Sequence, residues 1–282
     1  MMTTALPGSA LDRPDRFFPR RGMLRMLVLL STAVLLGGCA TRSVSTHGAF
    51  VEREVQVAGK AHRYQVFVPA GHGRGKAPVI LFLHGSGERG EDNRLQMTVG
   101  LPPHLRKHLD DFPAVVVIPQ APADTEWTQE AGAIALAALD AAMQEFDGDP
   151  DRVYLTGLSM GGYGTWELAL QQPGRFAALV PICGGLTVDW TDRRPGMSAH
   201  SVAAAPDPFA EAARRLRHVP VWIFHGAKDD LVPPVQSRRM DAALRQAGGD
   251  VRYTEFPDAN HNAWDPAYAT PGLWTWLFQQ HR

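Results

Sequence analysis

The pentapeptide Gly157-Leu158-Ser159-Met160-Gly161 places a serine between two glycines. It follows the apolar run Val153-Tyr154-Leu155-Thr156, which predicts a buried strand, and precedes Tyr163 to Gln172, which predicts a helix. A strand that turns sharply into a helix strains the residue at the corner. Glycines on either side, having no Cβ, let the turn close so that the hydroxyl stands clear. The chemistry on offer is attack on an acyl carbon. A serine hydroxyl is a poor nucleophile near neutral pH, so it needs a base within hydrogen-bonding reach and a third group to hold that base in the right tautomer.

The chain supplies both later on. His261 lies on a loop after the apolar-rich run Val251 to Glu255, and Asp229 and Asp230 compete for the acid position in the turn after Val221 to Phe224. The other histidines read as bystanders. His84 and His225 each open a His-Gly turn at a strand end, where an imidazole braces the loop, while His47, His62 and His72 precede the sheet and His281 is in the tail. Chain order is serine, acid, histidine, the order expected where a strand-to-helix turn carries the nucleophile.

These residues can meet only if the strands between them share one sheet. Val79 to Leu83 and Ala114 to Ile118 are continuous apolar runs, as expected of strands covered on both faces. Between them and the Ser159 strand, Leu136, Leu139, Met143 and Phe146 make a helical stripe over Glu130 to Phe146. Alternation continues through Leu179 to Ile182, Phe209 to Leu216, Val221 to Phe224, Val235 to Ala247, Val251 to Glu255 and a terminal helix over Gly272 to Gln280. The expectation is an α/β fold with a mostly parallel, doubly wound sheet. Glu54 to Val57 and Arg63 to Val68 alternate about Ala58-Gly59-Lys60 and predict an antiparallel hairpin at its edge. The irregular stretch 184–208 is read as at most a small cap. Asp147 to Asp151 starts like a calcium loop, but Arg152 stands where glycine is needed and Leu158 where glutamate is needed, so it reads as a solvated turn and no metal or cofactor is implied.

Four segments carry a specific resemblance: Leu83-His84-Gly85-Ser86-Gly87-Glu88-Arg89-Gly90, Gly157 to Trp166, His225-Gly226-Ala227-Lys228-Asp229-Asp230-Leu231-Val232-Pro233 and Asn260-His261-Asn262-Ala263-Trp264. From Val51 onward the chain resembles the α/β-hydrolase superfamily. The resemblance is to its small bacterial carboxylesterases, the phospholipase/carboxylesterase and predicted-peptidase group related to dienelactone hydrolases. It implies the catalytic triad Ser159, Asp229 and His261, with Asp229 rather than Asp230 as the acid. It also implies oxyanion donors at the backbone of Met160 and Ser86, and cleavage of carboxylic esters through an acyl-enzyme. A peptidase on the same triad and a non-catalytic binding protein on a hydrolase scaffold are the rivals. Dienelactone hydrolases proper use cysteine where this chain has Ser159, which argues against that reaction. Trp127, Trp190 and Trp264 are candidates for a substrate wall, and Trp166 and Trp222 for the core.

The 282 residues carry a net charge of -1 and 45% hydrophobic content, enough for one large domain and without the basic surplus that nucleic acid calls for. The N-terminus differs. Arg20, Arg21 and Arg25 precede the apolar run Met26 to Leu36 and then Gly37-Gly38-Cys39. That run is about a dozen residues, short of the roughly 20 that span a bilayer, and reads as a signal-peptide core. Leu36 to Cys39 resembles a bacterial lipobox, so residues 1–38 are expected to be a signal peptide, Cys39 to be lipidated, 39–50 to form anchor and tether, and 51–282 to be catalytic. The arginine pair also resembles a twin-arginine export signal. The partners expected are a small-molecule ester and, through the anchor, a membrane of the bacterial cell envelope, with the outer membrane facing the periplasm favoured by Ala40. Oligomeric state is not legible. Cys183, the other cysteine, reads as a buried packing residue.

Overall fold

The computed structural model describes residues 45–187 and 197–282; residues 1–38, expected to be a signal peptide, together with Cys39 and Trp190 lie outside them. Among the described residues, eight strands form one sheet: β1 (Ala49–Val57), β2 (Lys60–Val68), β3 (Ala77–Leu83), β4 (Val115–Pro119), β5 (Gly148–Leu158), β6 (Ala178–Ile182), β7 (Val221–Gly226) and β8 (Val251–Phe256), in the order β1-β2-β4-β3-β5-β6-β7-β8. β2 is antiparallel to both β1 and β4, and every other pair is parallel. The chain thus builds outward from β3 to β4 and then returns to place β5 on the opposite side of β3. At such a reversal the loops leaving the strand ends diverge and open a crevice.

Among the described residues, seven helices cover the two faces: α1 (Leu101–Arg106), α2 (Gln129–Glu145), α3 (Met160–Gln171), α4 (Pro208–Leu216), α5 (Val235–Gln246), α6 (Trp264–Tyr268) and α7 (Leu273–Phe278). Alternation along the strands decides which face each buried residue joins. Val79, Leu81 and Leu83 of β3 pack with Ala135 and Ala138 of α2, Trp166 of α3, Phe209 of α4 and Met240 of α5. Ile80 and Phe82 join Leu101 and Leu105 of α1, Ala267 of α6, and Leu273 and Leu277 of α7. With apolar layers on both sides, the central strands read as unbroken hydrophobic runs.

Several expectations shift in detail. β5 has eleven residues rather than four, and takes in Gly148 to Asp151, so the polar segment read as a solvated turn is the start of a strand. Asp149 there binds Arg152, with Nε 2.7 Å from Oδ2. The buried stripe of α2 runs through Ala131, Ile134, Ala135, Ala138, Leu139 and Ala142, because small residues let the helix sit close to the sheet; Leu136 and Met143 are only partly buried. Order begins before Val51: β1 starts at Ala49, and Gly48 N–H donates to Leu109 O at 2.8 Å. Within 184–208, Leu186, Met197, Ala199 and Val202 are buried, and Ser201 donates through N–H and hydroxyl to the Glu167 carboxylate at 2.9 and 3.0 Å. These flanks are packed against the sheet domain.

Candidate active site

The loops leaving β3, β5, β7 and β8 at their carboxyl ends converge. Ser159, between β5 and α3, has φ 53° and ψ -118°, a left-handed backbone that an L-residue adopts only when its surroundings enforce it. The enforcement is visible. Ser159 N–H donates to Ile182 O at 2.9 Å, and Ser159 O accepts from Gly162 and Tyr163 N–H at 2.8 and 3.1 Å. A Cβ at Gly161 would collide with Leu83 O, and one at Gly157 with Gly161 O. The flanking glycines are therefore required by close backbone approach as the turn crosses the end of β3.

His261 Nε2 lies 2.9 Å from Ser159 Oγ, and His261 Nδ1 lies 2.8 Å from Asp229 Oδ2. Asp229 is fixed by its own turn: its Oδ1 accepts from the N–H groups of Leu231 and Val232, both at 2.9 Å. Burial works to raise its carboxyl pKa, but hydrogen bonds from His225, His261 and Val232 outweigh burial and hold it far below the usual carboxylate range. The competing Asp230 is exposed on the cleft wall. Depth falls off along the line, from an Asp229 side chain with no exposure to a His261 side chain at 15%, so the charge is at the bottom and the imidazole faces the cleft.

The cleft has a volume of about 580 Å³. Ser86, Glu88, Ser159 and His261 line it together with an apolar wall that includes Val99, Met197, Leu231 and Trp264. Ser86 opens a short 3-10 turn (Ser86–Glu88), and Met160 is the first residue of α3, where a backbone N–H has no acceptor within its own helix. The Met160 side chain is buried in the core. Met160 thus follows Ser159 directly at a helix start, where the dipole favours negative charge, and Ser86 lines the same cleft as Ser159.

The three tryptophans part company. Trp264 lines the cleft and meets the His261 ring edge-on, with centroids 5.6 Å apart. Trp127 does not line it: it is 1% exposed, its Nε1–H donates to His84 O at 2.9 Å, and its ring packs on His84. The expectation that Trp127 forms a substrate wall is corrected. An indole following the β4 loop fills the core beneath the loop after β3, supporting that loop from behind. His84 braces the same loop, with Nδ1–H donating to Gly85 O at 2.6 Å and Nε2 accepting from Ala121 N–H at 3.0 Å.

Two neighbours carry no obvious signal in the sequence. Glu88 is half-buried beside Ser159: a Cβ built on Gly85 would lie 3.0 Å from Glu88 Oε2 and 3.6 Å from Ser159 Cβ. Cys183 is the first residue after β6, the strand between β5 and β7, which brings its thiol beside Asp229 and His261; that position was the available signal. The ligand atoms of Cys183, Asp229 and His261 lie within 4.8 Å of one another, the one such trio among the described residues. Burial pushes the Cys183 thiol well up, away from the thiolate a metal would need, and Asp229 and His261 already bond each other. The donor set fits a proton line better than a cation.

Residues 124–277, more than half of the chain, match the Prolyl oligopeptidase family. The solved structure of a thermostable esterase superposes with a TM-score of 0.66 at 29% identity, covering 83% of this chain and 63% of that one. Acylaminoacyl peptidase of Pyrococcus horikoshii superposes at 0.60 with 18% identity over 77% of this chain and 38% of its own, a likeness of fold. Among curated sequences, Esterase LipQ of Mycobacterium tuberculosis is 31% identical over 154 residues, 45% of this chain and 36% of the esterase. An uncharacterized secreted protein of Arthroderma benhamiae is 26% identical over 212 residues, 66% of this chain and 21% of its own length. The chain therefore spans about a fifth to a third of these curated relatives. The sheet, its crossovers and these likenesses make the fold that of the α/β-hydrolases.

Proposed function

The chain belongs to the prolyl oligopeptidase family, and from its site we propose that it is a serine hydrolase that cleaves carboxylic esters through an acyl-enzyme. One observation carries the reading: the unbroken line Ser159 Oγ, His261, Asp229, with gaps of 2.9 and 2.8 Å, on the floor of an open cleft. His261 takes the hydroxyl proton as Ser159 attacks the carbonyl carbon and returns it to the leaving alcohol. Water then repeats the sequence on the acyl-enzyme. Asp229 stays ionised throughout and stabilises the imidazolium. The tetrahedral oxyanion is received by the N–H groups of Met160 and Ser86.

Peptide cleavage is the second reading, favoured by the family's name and by the acylaminoacyl peptidase likeness of fold. Names of relatives support the ester: one is an esterase by sequence and one by structure. Fluorophosphonate labelling combined with turnover of nitrophenyl esters of increasing chain length, feruloyl esters and aminoacyl nitroanilides tests both. Labelling lost in Ser159→Ala, with ester kcat/KM well above that for nitroanilides, supports the esterase; faster nitroanilide turnover supports the peptidase; no labelling of folded protein sinks both.

The lipobox resemblance at Leu36 to Cys39 supports a lipid-anchored enzyme of the bacterial envelope. Incorporation of labelled palmitate that disappears in Cys39→Ala, with release from membranes, is the expected outcome, and unchanged fractionation of that variant contradicts it.

A further inference from the structure

Asp229 Oδ2 has a second imidazole beside it. His225 Nε2 lies 3.2 Å from that oxygen and 2.9 Å from Val232 O, and both His225 and the Asp229 side chain are without solvent exposure. On the far side of the ring, His225 Nδ1 lies 2.7 Å from Ser237 Oγ, on the first turn of α5. Two acceptors face Nε2, so Nε2 carries the proton; Nδ1 then takes the hydroxyl hydrogen of Ser237. A proton on Nε2 shared between Val232 O and Asp229 Oδ2, with the Ser237 hydroxyl on Nδ1, satisfies all three contacts at once.

We propose that His225, held in this tautomer by Ser237, is a positioning residue for the hydrolase, orienting Asp229 toward His261. Each carboxylate oxygen carries two donors: Leu231 and Val232 N–H on Oδ1, His261 and His225 on Oδ2. The two backbone donors come from the turn that bears Asp229 itself, so by themselves they let carboxylate and turn move together. His225 is different because it sits at the buried end of β7, a strand paired on both sides by β6 and β8, and is tied through Ser237 to α5. It anchors the oxygen that His261 uses to parts of the structure that do not move with the loop. When His261 becomes imidazolium, a carboxylate fixed in place needs no reorganisation to meet the new charge. The sequence reading of His225 as a loop brace is kept in part: it braces the loop, and through it the acid.

The inference rests on the serine-hydrolase reading, and its test separates the two. In the full chain, His225→Leu removes the donor while keeping the core filled. His225→Gln offers an amide N–H near the Nε2 position. Ser237→Ala leaves the ring in place without its tautomer lock. Losing one hydrogen bond to a charged group is expected to lower kcat roughly 10- to 100-fold in His225→Leu with KM within about twofold, and Ser237→Ala to lower it roughly two- to tenfold. His225→Gln should recover most of the loss. The low-field proton resonance of His261 Nδ1–H should shift or broaden in His225→Leu and return in His225→Gln. This resonance needs no turnover: a wild type that fails to react with fluorophosphonate ends the hydrolase reading, yet the resonance still decides the coupling. Gln no better than Leu with an unmoved resonance, or kcat within threefold of wild type in His225→Leu, overturns the proposal. Should His225→Leu not fold, Ser237→Ala decides, wild-type kcat counting against.

Discussion

Ser159 and His261 stand 102 residues apart in the chain and 2.9 Å apart across the cleft, and no flexible segment has to move for the hydroxyl proton to reach Nε2. Residues that act as one unit are strongly non-additive when removed. Ser159→Ala and His261→Ala should each lower ester kcat by roughly 10⁴-fold or more, and the double variant little further. Asp229→Asn should cost a similar factor of about 10⁴ while leaving KM near wild type, because it disturbs the tautomer rather than the cleft. Independent, multiplying losses would mean the three do not share a proton line.

Trp127 and Trp264 are chemically alike and should behave as opposites. Trp127→Phe removes the N–H to His84 O and part of a buried ring, so unfolding free energy should fall by about 1–3 kcal/mol with KM unchanged. Trp264→Ala removes cleft wall beside His261, and KM should rise several-fold with little change in the thermal midpoint. Kinetics paired with thermal melts on both variants would reveal a reversed assignment at once.

The tryptophans also show how far the sequence could be read. Strand-to-helix chemistry at Ser159, chain order and four local motifs singled out Ser159, Asp229 and His261, which the fold brings within hydrogen-bonding distance, because glycine spacing and continuous apolar runs are themselves consequences of close backbone approach and two-sided burial. Trp127 misled because an indole in a loop after a strand looks the same whether it faces the cleft or the core; packing under the β3 loop decides. The first part of β5 was hidden because Asp149, Pro150 and Asp151 carry no apolar signal, and α1 and α6 because each is one to two turns with internal prolines. Cys183 and Glu88 reach the site through sheet order and loop shape, neither of which is periodic in the sequence.

His84 provides a pH test of the fold. Burial, opposed by its bond to Gly85 O, lowers its pKa from 6.5 to about 4. The folded state therefore resists a proton that the unfolded chain accepts. The neutral ring's contribution is fully present above the unfolded value and is lost progressively as pH falls from 6.5 toward 4, where the unfolded state binds more protons. The window corresponds to about 3 kcal/mol for a group so buried. His84→Gln keeps an acceptor for Ala121 N–H but does not titrate, so its denaturation midpoint should fall less than that of wild type between pH 7 and 4.5. Parallel decline of the two proteins would assign the acid sensitivity elsewhere.

Charge in the cleft predicts which acyl groups are poorly tolerated. Glu88 and Asp230 line it, and no lysine or arginine does among the described residues. The guanidinium of Arg89, next in sequence to Glu88, is turned onto Ser86 O and Thr125 O at 3.0 and 3.3 Å. Burial raises the Glu88 carboxyl above its ordinary value while hydrogen bonds from Gly85 and Glu88 N–H work against that rise. Wherever these carboxyl groups ionise, they repel an anionic acyl group in the cleft. At separations of several ångströms in a partly wet cleft this repulsion is about 1 kcal/mol. A nitrophenyl ester with a free carboxylate at the acyl end should thus show kcat/KM roughly 5- to 10-fold below that of its neutral methyl ester. The gap should narrow in Glu88→Gln and at high salt, since screening reaches an open cleft. Equal turnover of the two esters at low salt would mean that the carboxylates are neutralised when substrate is bound.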